Sequence, residues 1–317
     1  MLSTILPELV LPLLRIIFLV SLGLVVANFI ESLNWTHRLA MLARPLIRLG
    51  HLSAVSGASF SMAFFSGISA NAMLAEAFDQ GRLSKAELVL ANLFNSLPRF
   101  FLHLPTVFFL TAPLIKGAAL IYVGLTFAAA LVQTLLVIIL GRLLLSAGHD
   151  EEGSIPVPQN KKVSWREALV KSGKRFRKRM PKLLQYTVPV YILFFLLNRY
   201  GFFSRVEELL AEKAAFLSWL HPKSLGIVVL HISAEFSAGL AAAGALLADE
   251  SLGYREVVLA LLAGNVLAAP VRAVRHQFPY YVGIFTPRLA LELVGFSQLC
   301  RLVSLVLVGA VYYGWSR

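Results

Sequence analysis

The feature that most constrains this chain is a series of long apolar segments. Several run for about 20 residues or more with few charges, the length that an α-helix needs to cross a roughly 30 Å hydrocarbon core. Of the 317 residues, 58% are hydrophobic and 15% are charged, whereas globular chains are about 45–50% apolar and about 25% charged. Backbone polar groups in lipid must be satisfied within each segment, so these runs predict helices and not barrel strands. The expected fold class is an all-α polytopic membrane protein.

The net charge of +12 comes largely from one segment. Ten Lys and Arg residues lie between 161 and 182, next to apolar runs. This pattern predicts a cytoplasmic loop that contacts anionic lipid headgroups, and it disfavours nucleic acid as a partner. The single cysteine, Cys300, excludes an intrachain disulfide. No phosphate-binding loop, nucleophile elbow or HExxH motif is present, so we expect neither an enzyme nor a bound cofactor.

The order of segments in the first half returns in the second half. The pairs Glu87 and Glu256, and Pro98 and Pro270, align at an offset near about 170 residues, which indicates an internal repeat. In each half an apolar span, an amphipathic segment and a Ser/Gly/Ala-rich segment precede two further spans. In the first half these five segments lie, in that order, at about 5–30, 35–49, 56–81, 84–110 and 114–145. In the second half they lie at about 183–197, 206–220, 231–250, 254–285 and 289–313. The predicted domains are a first repeat at 1–147, a basic cytoplasmic loop at 148–182 and a second repeat at 183–317.

The relative orientation of the two repeats depends on the Ser/Gly/Ala-rich segments. If each segment crosses the membrane the repeats are parallel, and if each enters and returns on the same side they are inverted. With re-entrant hairpins, Arg44, Arg48 and Arg82 share the cytoplasmic side with the basic loop, and Asp249 and Glu250 lie outside. The positive-inside rule therefore favours two inverted repeats, each with a span, an interfacial helix, a re-entrant hairpin, a broken helix and a span. The first apolar run lacks a signal-peptide cleavage pattern, and we interpret it as a retained span.

Two apolar segments contain a proline followed by positive charge. They are NSLPRFFLHLP, which begins at Asn95, and NVLAAPVRAVRHQFP, which begins at Asn265. Pro98 and Pro270 cannot donate a helical hydrogen bond and crowd the carbonyl one turn back, so we expect a helix interruption in each segment. Freed backbone groups are tolerated in a membrane only beside protein or water. Both interruptions should therefore face a cavity.

Positive side chains around the interruptions predict an anion site. Arg99 and His103 are four residues apart and share a helical face. An arginine near the bilayer centre costs at least about 2.5–3.5 kcal/mol, so it must face a partner or a wet cavity, and surplus positive charge there favours an anionic ligand. The candidate substrate-binding residues are Asn95, Ser96, Arg99, His103, Asn265, Arg272, Arg275 and His276, together with Ser66, Ser69, Ser237 and Glu235 of the hairpins.

Three other interpretations of these residues stay open. The arginines can fasten the helices by pairing with Glu235 or with helix-end carbonyls. His103, His276 or His231 can carry protons. His231 and Glu235 are four residues apart and form half of a metal site, but no third ligand is nearby in the sequence, so no metal is predicted.

The run FFSGISANAMLAEAFDQGRLSKAELVLANLFNSLP, residues 64–98, carries a family resemblance. A Ser-Gly pair, a small-residue helix, Gly81 and an Asn-Ser pair before Pro98 resemble the Gate, or nucleoside-recognition, domain family of bacterial membrane proteins. That family includes sporulation-associated membrane proteins and, more remotely, concentrative nucleoside transporters. The resemblance implies an interfacial helix, a re-entrant hairpin, a broken helix and a span, repeated inverted. It also implies transport, although the arginines favour a substrate other than a nucleoside.

These observations predict a secondary transporter or permease of the bacterial inner membrane. Its substrate is expected to be a small anionic or polar metabolite, or a lipid-linked phosphate, bound between the two broken helices. The alternative is a non-transporting scaffold or sensor that acts through the loop at 148–182. A homo-oligomer is compatible with either function.

Overall fold

The computed structural model describes residues 43–146, 219–233, 236–282 and 284–316, with scattered further positions between 10 and 18 and between 164 and 200. Several predictions fall outside these residues. They concern the first apolar span, the amphipathic segments at 35–42 and 206–218, the loop at 148–163, most of the segment at 183–197, Glu235, and the side chains of Arg275 and His276.

The described part of the chain contains helices and no strand. In chain order the helices are α1 (Ala43–Leu49), α2 (Ala54–Ala63), α3 (Gly67–Asp79), α4 (Lys85–Phe94), α5 (Ser96–Ile115), α6 (Ala118–Leu144), α7 (Leu225–Ser233), α8 (Phe236–Ala248), α9 (Tyr254–Leu267), α10 (Ala269–Arg272), α11 (Phe278–Val282) and α12 (Pro287–Trp315). A short 3₁₀ turn, Pro222–Ser224, precedes α7, and a π-helical turn, Ala273–Gln277, joins α10 to α11.

Three of these helical segments are long and apolar enough to cross a membrane. They are Lys85–Ile115, which comprises α4 and α5, with 31 residues, α6 with 27 residues and α12 with 29 residues. At 1.5 Å per residue each is at least about 40 Å long, more than the roughly 30 Å of a hydrocarbon core. The fold class predicted from the sequence is thus supported in its broad form: an all-helical chain with several candidate spans.

The first Ser/Gly/Ala-rich segment forms a helix hairpin, α2 and α3. With 10 and 13 residues, these helices are only about 15 and 20 Å long, too short to cross a hydrocarbon core. The Glu87 carboxylate, in the first turn of α4, accepts hydrogen bonds from the backbone N–H of Ser53 and the hydroxyl of Ser56, both at 2.8 Å. Ser53 precedes α2 and Glu87 follows α3, so the hairpin enters and leaves at the same end of the bundle.

The second hairpin, α7 and α8, begins and ends beside the C-terminus of α12. The rings of Trp219, before α7, and Tyr313 lie 5.9 Å apart edge to face. The Arg255 guanidinium, at the start of α9, lies 5.3 Å from the centre of the Tyr313 ring, and its Nε donates to the Ser316 hydroxyl at 3.0 Å. The chain therefore enters this hairpin and leaves it at one end of α12.

An ion pair places the start of α4 at the other end of α12. Lys85 Nζ lies 2.6 Å from a carboxylate oxygen of Glu292, and Nε of Arg288, one turn earlier on α12, lies 3.7 Å from the other oxygen. Glu292 and Ser316 are separated by about 36 Å along the helix at 1.5 Å per residue. Helices α4 and α9 therefore begin at opposite ends of α12.

Both predicted helix interruptions occur within the expected ranges. Asn95 ends α4 and begins α5, and Pro98 follows in the first turn of α5. Ala268 separates α9 from α10, which contains Pro270, and the π-helical turn follows. Helix α9 has 14 residues and α4 has 10, so α9 is about one turn longer.

Small residues let the helices around these interruptions pack closely. Gly244 of α8 lies against the backbone of α5, where a methyl group on it would be 3.0 Å from the Leu114 carbonyl oxygen. A run of buried alanines on the same helix packs into the largest apolar cluster, with residues of α5, α6 and α9. This close packing fixes the second hairpin beside the long helices that carry the candidate site.

Candidate functional site

A cavity of about 360 Å³ lies between α5, α6 and α12, with Asn265 of α9 and Gln277 of the π-helical turn completing its wall. Its polar residues lie near the midpoints of the long helices. Arg301 is the central residue of α12, and Gln133 is two residues from the centre of α6. Arg99 is one residue from the centre of the segment Lys85–Ile115. If these helices span a membrane, the cavity lies at its midplane.

Arginine side chains converge on this cavity. Arg99 and Arg301 line it, and Arg301 Nη2 donates to the Asn265 side-chain oxygen at 3.0 Å. Arg272 Nη2 donates to the same oxygen at 2.5 Å. None of the three arginines forms an ion pair with another described residue. No described carboxylate neutralises these charges, and surplus positive charge beside a cavity favours an anionic ligand.

Backbone oxygens at the first interruption hold the Arg99 guanidinium. Its Nε donates to the Asn95 carbonyl at 3.0 Å and its Nη2 to the Asn92 carbonyl at 3.1 Å, while Nη1 lies 3.4 Å from the Tyr281 hydroxyl. A guanidinium has five N–H groups, so two remain for a ligand. All three acceptors are neutral groups, so none of them forms an ion pair with Arg99.

Each interruption has an asparagine seven residues before its arginine. Arg272 Nη2 donates to the Asn265 carbonyl at 2.8 Å, as Arg99 does to that of Asn92. The side-chain nitrogens also have matching partners: Asn265 Nδ2 donates to the Tyr122 hydroxyl at 3.2 Å, and Asn92 Nδ2 to the Tyr281 hydroxyl at 3.0 Å. The two proline-containing segments, as aligned in the sequence, begin at Asn95 and Asn265. The hydrogen bonds show instead that Asn92 is the counterpart of Asn265.

The cavity wall contains buried polar atoms without a partner. Within the described residues, neither the Ser96 hydroxyl nor the Gln133 side-chain nitrogen has a hydrogen-bond partner. Both residues line the cavity. Buried polar groups in folded proteins are almost always hydrogen-bonded, so two residues of the wall carry polar groups that no described residue satisfies.

The predicted site residues divide into two groups. Ser96, Arg99, His103 and Asn265 line the cavity. Arg272 lies behind Asn265 and does not line it, and its Nε is buried without a hydrogen-bond partner in the described part of the chain.

The remaining predicted residues that the structure describes lie away from the cavity wall. Asn95 is buried and donates to the Ser59 hydroxyl at 2.8 Å, which ties the first interruption to the first hairpin. Ser66 caps α3 by accepting from the backbone N–H and the hydroxyl of Ser69, at 3.2 and 3.0 Å. Ser237 is half-buried in α8.

Both hairpins approach the interrupted helices. A methyl group on Gly67, the first residue of α3, would lie 3.6 Å from Cδ of Arg99. In the second hairpin, His231 is only 3% exposed and packs against Gly264, where a methyl group would lie 2.8 Å from its Nδ1. In the described residues neither ring nitrogen of His231 has a hydrogen-bond partner, and no group of three or more His, Cys, Asp and Glu could hold a metal ion.

Arg301, the central residue of α12, was not among the site residues predicted from the sequence. Its signal was present, because an arginine in the middle of an apolar run is costly unless it faces a cavity or a partner. Nor were three glutamines of the wall, Gln133, Gln277 and Gln298, the last of which donates to Gln277 at 2.6 Å. Uncharged amides give a weaker sequence signal than arginine because they are less costly in apolar runs.

Relatives of this chain occur in the archaeon Methanocaldococcus jannaschii. One protein described as uncharacterized is 29% identical over 284 residues, covering 88% of this chain and 86% of the relative. Two others, also described as uncharacterized, are 24% and 23% identical, covering 89% and 86% of this chain and 88% of each relative. No family model matches the chain, and no solved structure matches it. The resemblance to the Gate family therefore stays a prediction.

Proposed function

We propose that this protein is a secondary transporter or permease for a small anionic metabolite. The observation that supports this most directly is the cavity at the helix midpoints, which Arg99 and Arg301 both line and where no described carboxylate pairs with them. A volume of about 360 Å³ lies at the low end of the range for small-molecule sites, roughly 300–1,000 Å³. The wall also contains the Ser96 hydroxyl and the Gln133 side-chain nitrogen, for which no described residue is a hydrogen-bond partner.

The architecture we propose is a pair of inverted repeats in the cytoplasmic membrane. Two observations support this architecture. Each of the two hairpins is too short to cross the membrane and is followed by an interrupted helix. In addition, α4 and α9 begin at opposite ends of α12. Many secondary transporters combine inverted repeats with a midplane site between broken helices. Because the relatives belong to an archaeon, we propose a prokaryotic cytoplasmic membrane as the location and not specifically a bacterial one.

Alternating access would move one interrupted helix relative to α12. Arg99 is held by the backbone carbonyls of α4 and its interruption, whereas Arg301 belongs to α12. A shift of the first hairpin and α4 would therefore change the distance between the two guanidinium groups. An anion that bridges them would stabilise the conformation in which they are close, and its release would favour the other.

Anion binding to the purified full chain in lipid nanodiscs tests this function. Phosphate, acetate, succinate and hexanoate are titrated by calorimetry against the wild type, Arg301→Gln, Arg99→Gln and the control Arg288→Gln, whose arginine lies at the exposed start of α12. We expect at least one anion to bind and the affinity to fall at least about tenfold in the two cavity variants, since a charge-assisted hydrogen bond contributes about 1.5–3 kcal/mol. The control should bind like the wild type.

Size-exclusion profiles and melting temperatures show whether each variant is folded. Equal anion affinity in Arg301→Gln and wild type would contradict the proposed site. No binding of any of these anions, with partner binding by the basic loop at 148–182, would favour the scaffold function instead. Flux of the bound anion into liposomes then distinguishes a transporter from a receptor.

A further inference from the structure

The cavity is polar at one end and apolar at the other. Along α5, Ser96, Arg99 and His103 line the cavity wall first, and Leu104 and Val107 follow. Ser96 and Arg99 lie beside the helix interruption, His103 lies one turn beyond Arg99, and Val107 is two to three turns beyond the interruption. This helix therefore presents hydrogen-bond donors to one part of a ligand and a hydrocarbon surface to another.

The other two long helices show the same gradient. Helix α12 runs in the same direction as α4 and α5, because the Lys85–Glu292 ion pair joins their N-terminal ends. Its Arg301 is followed one turn later by Leu305, which is 4% exposed. Helix α6 runs antiparallel to α5, so Gln133 lies level with Arg99, and Ala129, one turn back, lies toward the apolar end. Thr126 lines the wall about one turn farther, and its hydroxyl donates to the Val123 carbonyl at 2.9 Å.

We infer that the ligand is an amphipathic anion, with a carboxylate between Arg99 and Arg301 and an unbranched alkyl tail along Leu104, Val107 and Leu305. This inference rests on the proposed function and names its substrate class. Guanidinium groups match a planar carboxylate in geometry and charge. At roughly 30 Å³ per non-hydrogen atom, a water's share of liquid volume, the cavity accommodates about a dozen atoms. A free carboxylic acid of about eight to ten carbons fills it, whereas a lipid does not.

A chain-length series tests the inference. Straight-chain carboxylates from acetate to dodecanoate compete with radiolabelled hexanoate for the full chain in nanodiscs, and nanodiscs without protein give the partition blank. We expect the affinity to rise about fourfold per methylene, the value for burial of a CH₂ group, and to level off near eight to ten carbons.

Two substitutions at the apolar end provide the matched comparison. Leu305→Ser removes buried hydrocarbon, and Val107→Thr replaces a methyl group by a hydroxyl with little change of shape, so it tests the same surface if the first variant does not fold. For each variant the loss of affinity relative to wild type should grow with chain length. Succinate, which has no apolar end, should bind more weakly than hexanoate.

The outcomes separate this inference from the proposed function. If acetate binds as tightly as octanoate and Arg301→Gln still abolishes binding, the anion site stands and the apolar-tail inference is wrong. If the affinity still rises between decanoate and dodecanoate, the tail extends beyond the cavity, and the inference that the ligand is a free acid of limited length is wrong. If Arg301→Gln binds every acid like the wild type, both proposals fail.

Discussion

At the scale of single residues, Asn265 lies between two positive charges. Its one side-chain oxygen accepts hydrogen bonds from both Arg272 and Arg301. An amide dipole cannot neutralise two guanidinium charges, and the desolvation of each charge costs several kcal/mol. The free energy of the ligand-free protein therefore contains an electrostatic penalty that an added negative charge would relieve.

Asn265→Asp places that negative charge without changing side-chain size. We expect a higher melting temperature than wild type in anion-free buffer, because the carboxylate pairs with both arginines and accepts from the Tyr122 hydroxyl. Added anion should then raise the melting temperature less than it does in wild type. Thermal unfolding in nanodiscs with and without phosphate and hexanoate measures both effects. Asn265→Ala is the comparison; if the Asp variant melts no higher than the Ala variant, the charge argument is wrong.

Gly264, the neighbour of Asn265, allows the second hairpin to approach α9. Gly264→Ala would place a methyl group 2.8 Å from Nδ1 and 2.9 Å from Cβ of His231, and such overpacking costs about 1–3 kcal/mol. Gly295→Ala on α12 is the control, since a methyl group there meets nothing within 4 Å and alanine favours a helix over glycine by about 1 kcal/mol. Denaturant unfolding in mixed micelles should show lower stability for the first variant and equal or higher stability for the second. Equal stability of both would contradict the close contact.

The roles of some of these residues could be predicted from the sequence, and those of others could not. Pro98 and Pro270 located the interruptions because proline acts locally on the backbone. The pairing of Asn92 with Asn265 was concealed, because α9 is one turn longer than α4 and a sequence offset does not show where the extra turn lies. That Arg272 lies behind Asn265 depends on packing between helices, which single-helix patterns do not contain.

At the scale of elements, a polar cluster holds the first interrupted helix to α3 and α11. Asn92 of α4 donates to the Asn71 side-chain oxygen of α3 at 3.1 Å and to the Tyr281 hydroxyl of α11, which donates back at 3.2 Å. Asn92 is fully buried, and Tyr281 is only 2% exposed. Three separate elements thus meet at one side chain beside Arg99.

Tyr281→Phe removes only the hydroxyl from this cluster. We expect a loss of about 1–3 kcal/mol in the free energy of unfolding, because the buried side-chain oxygen of Asn92 loses the donor that it has in the wild type. The same substitution removes the contact between the Tyr281 hydroxyl and Nη1 of Arg99, so the affinity of the protein for anions should also change. Tyr254→Phe, at an exposed position on α9, is the control and should match wild type. Addition of Asn92→Ala to Tyr281→Phe should cost less than the sum of the two single changes; strict additivity would show that the cluster does not act as a unit.

At the scale of the whole molecule, α12 relates the two hairpins to each other. Lys85 pairs with Glu292 near its start, and Arg255 contacts Tyr313 and Ser316 near its end. The charges agree with this separation. Arg82 and Lys85 lie at one end, and Asp249 and Glu250 precede α9 at the other. By the positive-inside rule, the first end is predicted to be cytoplasmic.

Cysteine labelling across the membrane tests this arrangement. Single cysteines replace Arg82, Arg142 or Asp249, all exposed, in a Cys300→Ser background. Arg82 follows the first hairpin, and Arg142 near the end of α6 returns to the same side after α5 and α6 have crossed. An impermeant maleimide added to intact cells should modify only the Asp249→Cys protein. Added to inverted vesicles, it should modify only the Arg82→Cys and Arg142→Cys proteins. The reason is that α4 and α9 begin at opposite ends of α12. Labelling of Arg82→Cys and Asp249→Cys from the same side would exclude inverted repeats, whereas a mismatch confined to Arg142→Cys would exclude only the crossing of α6.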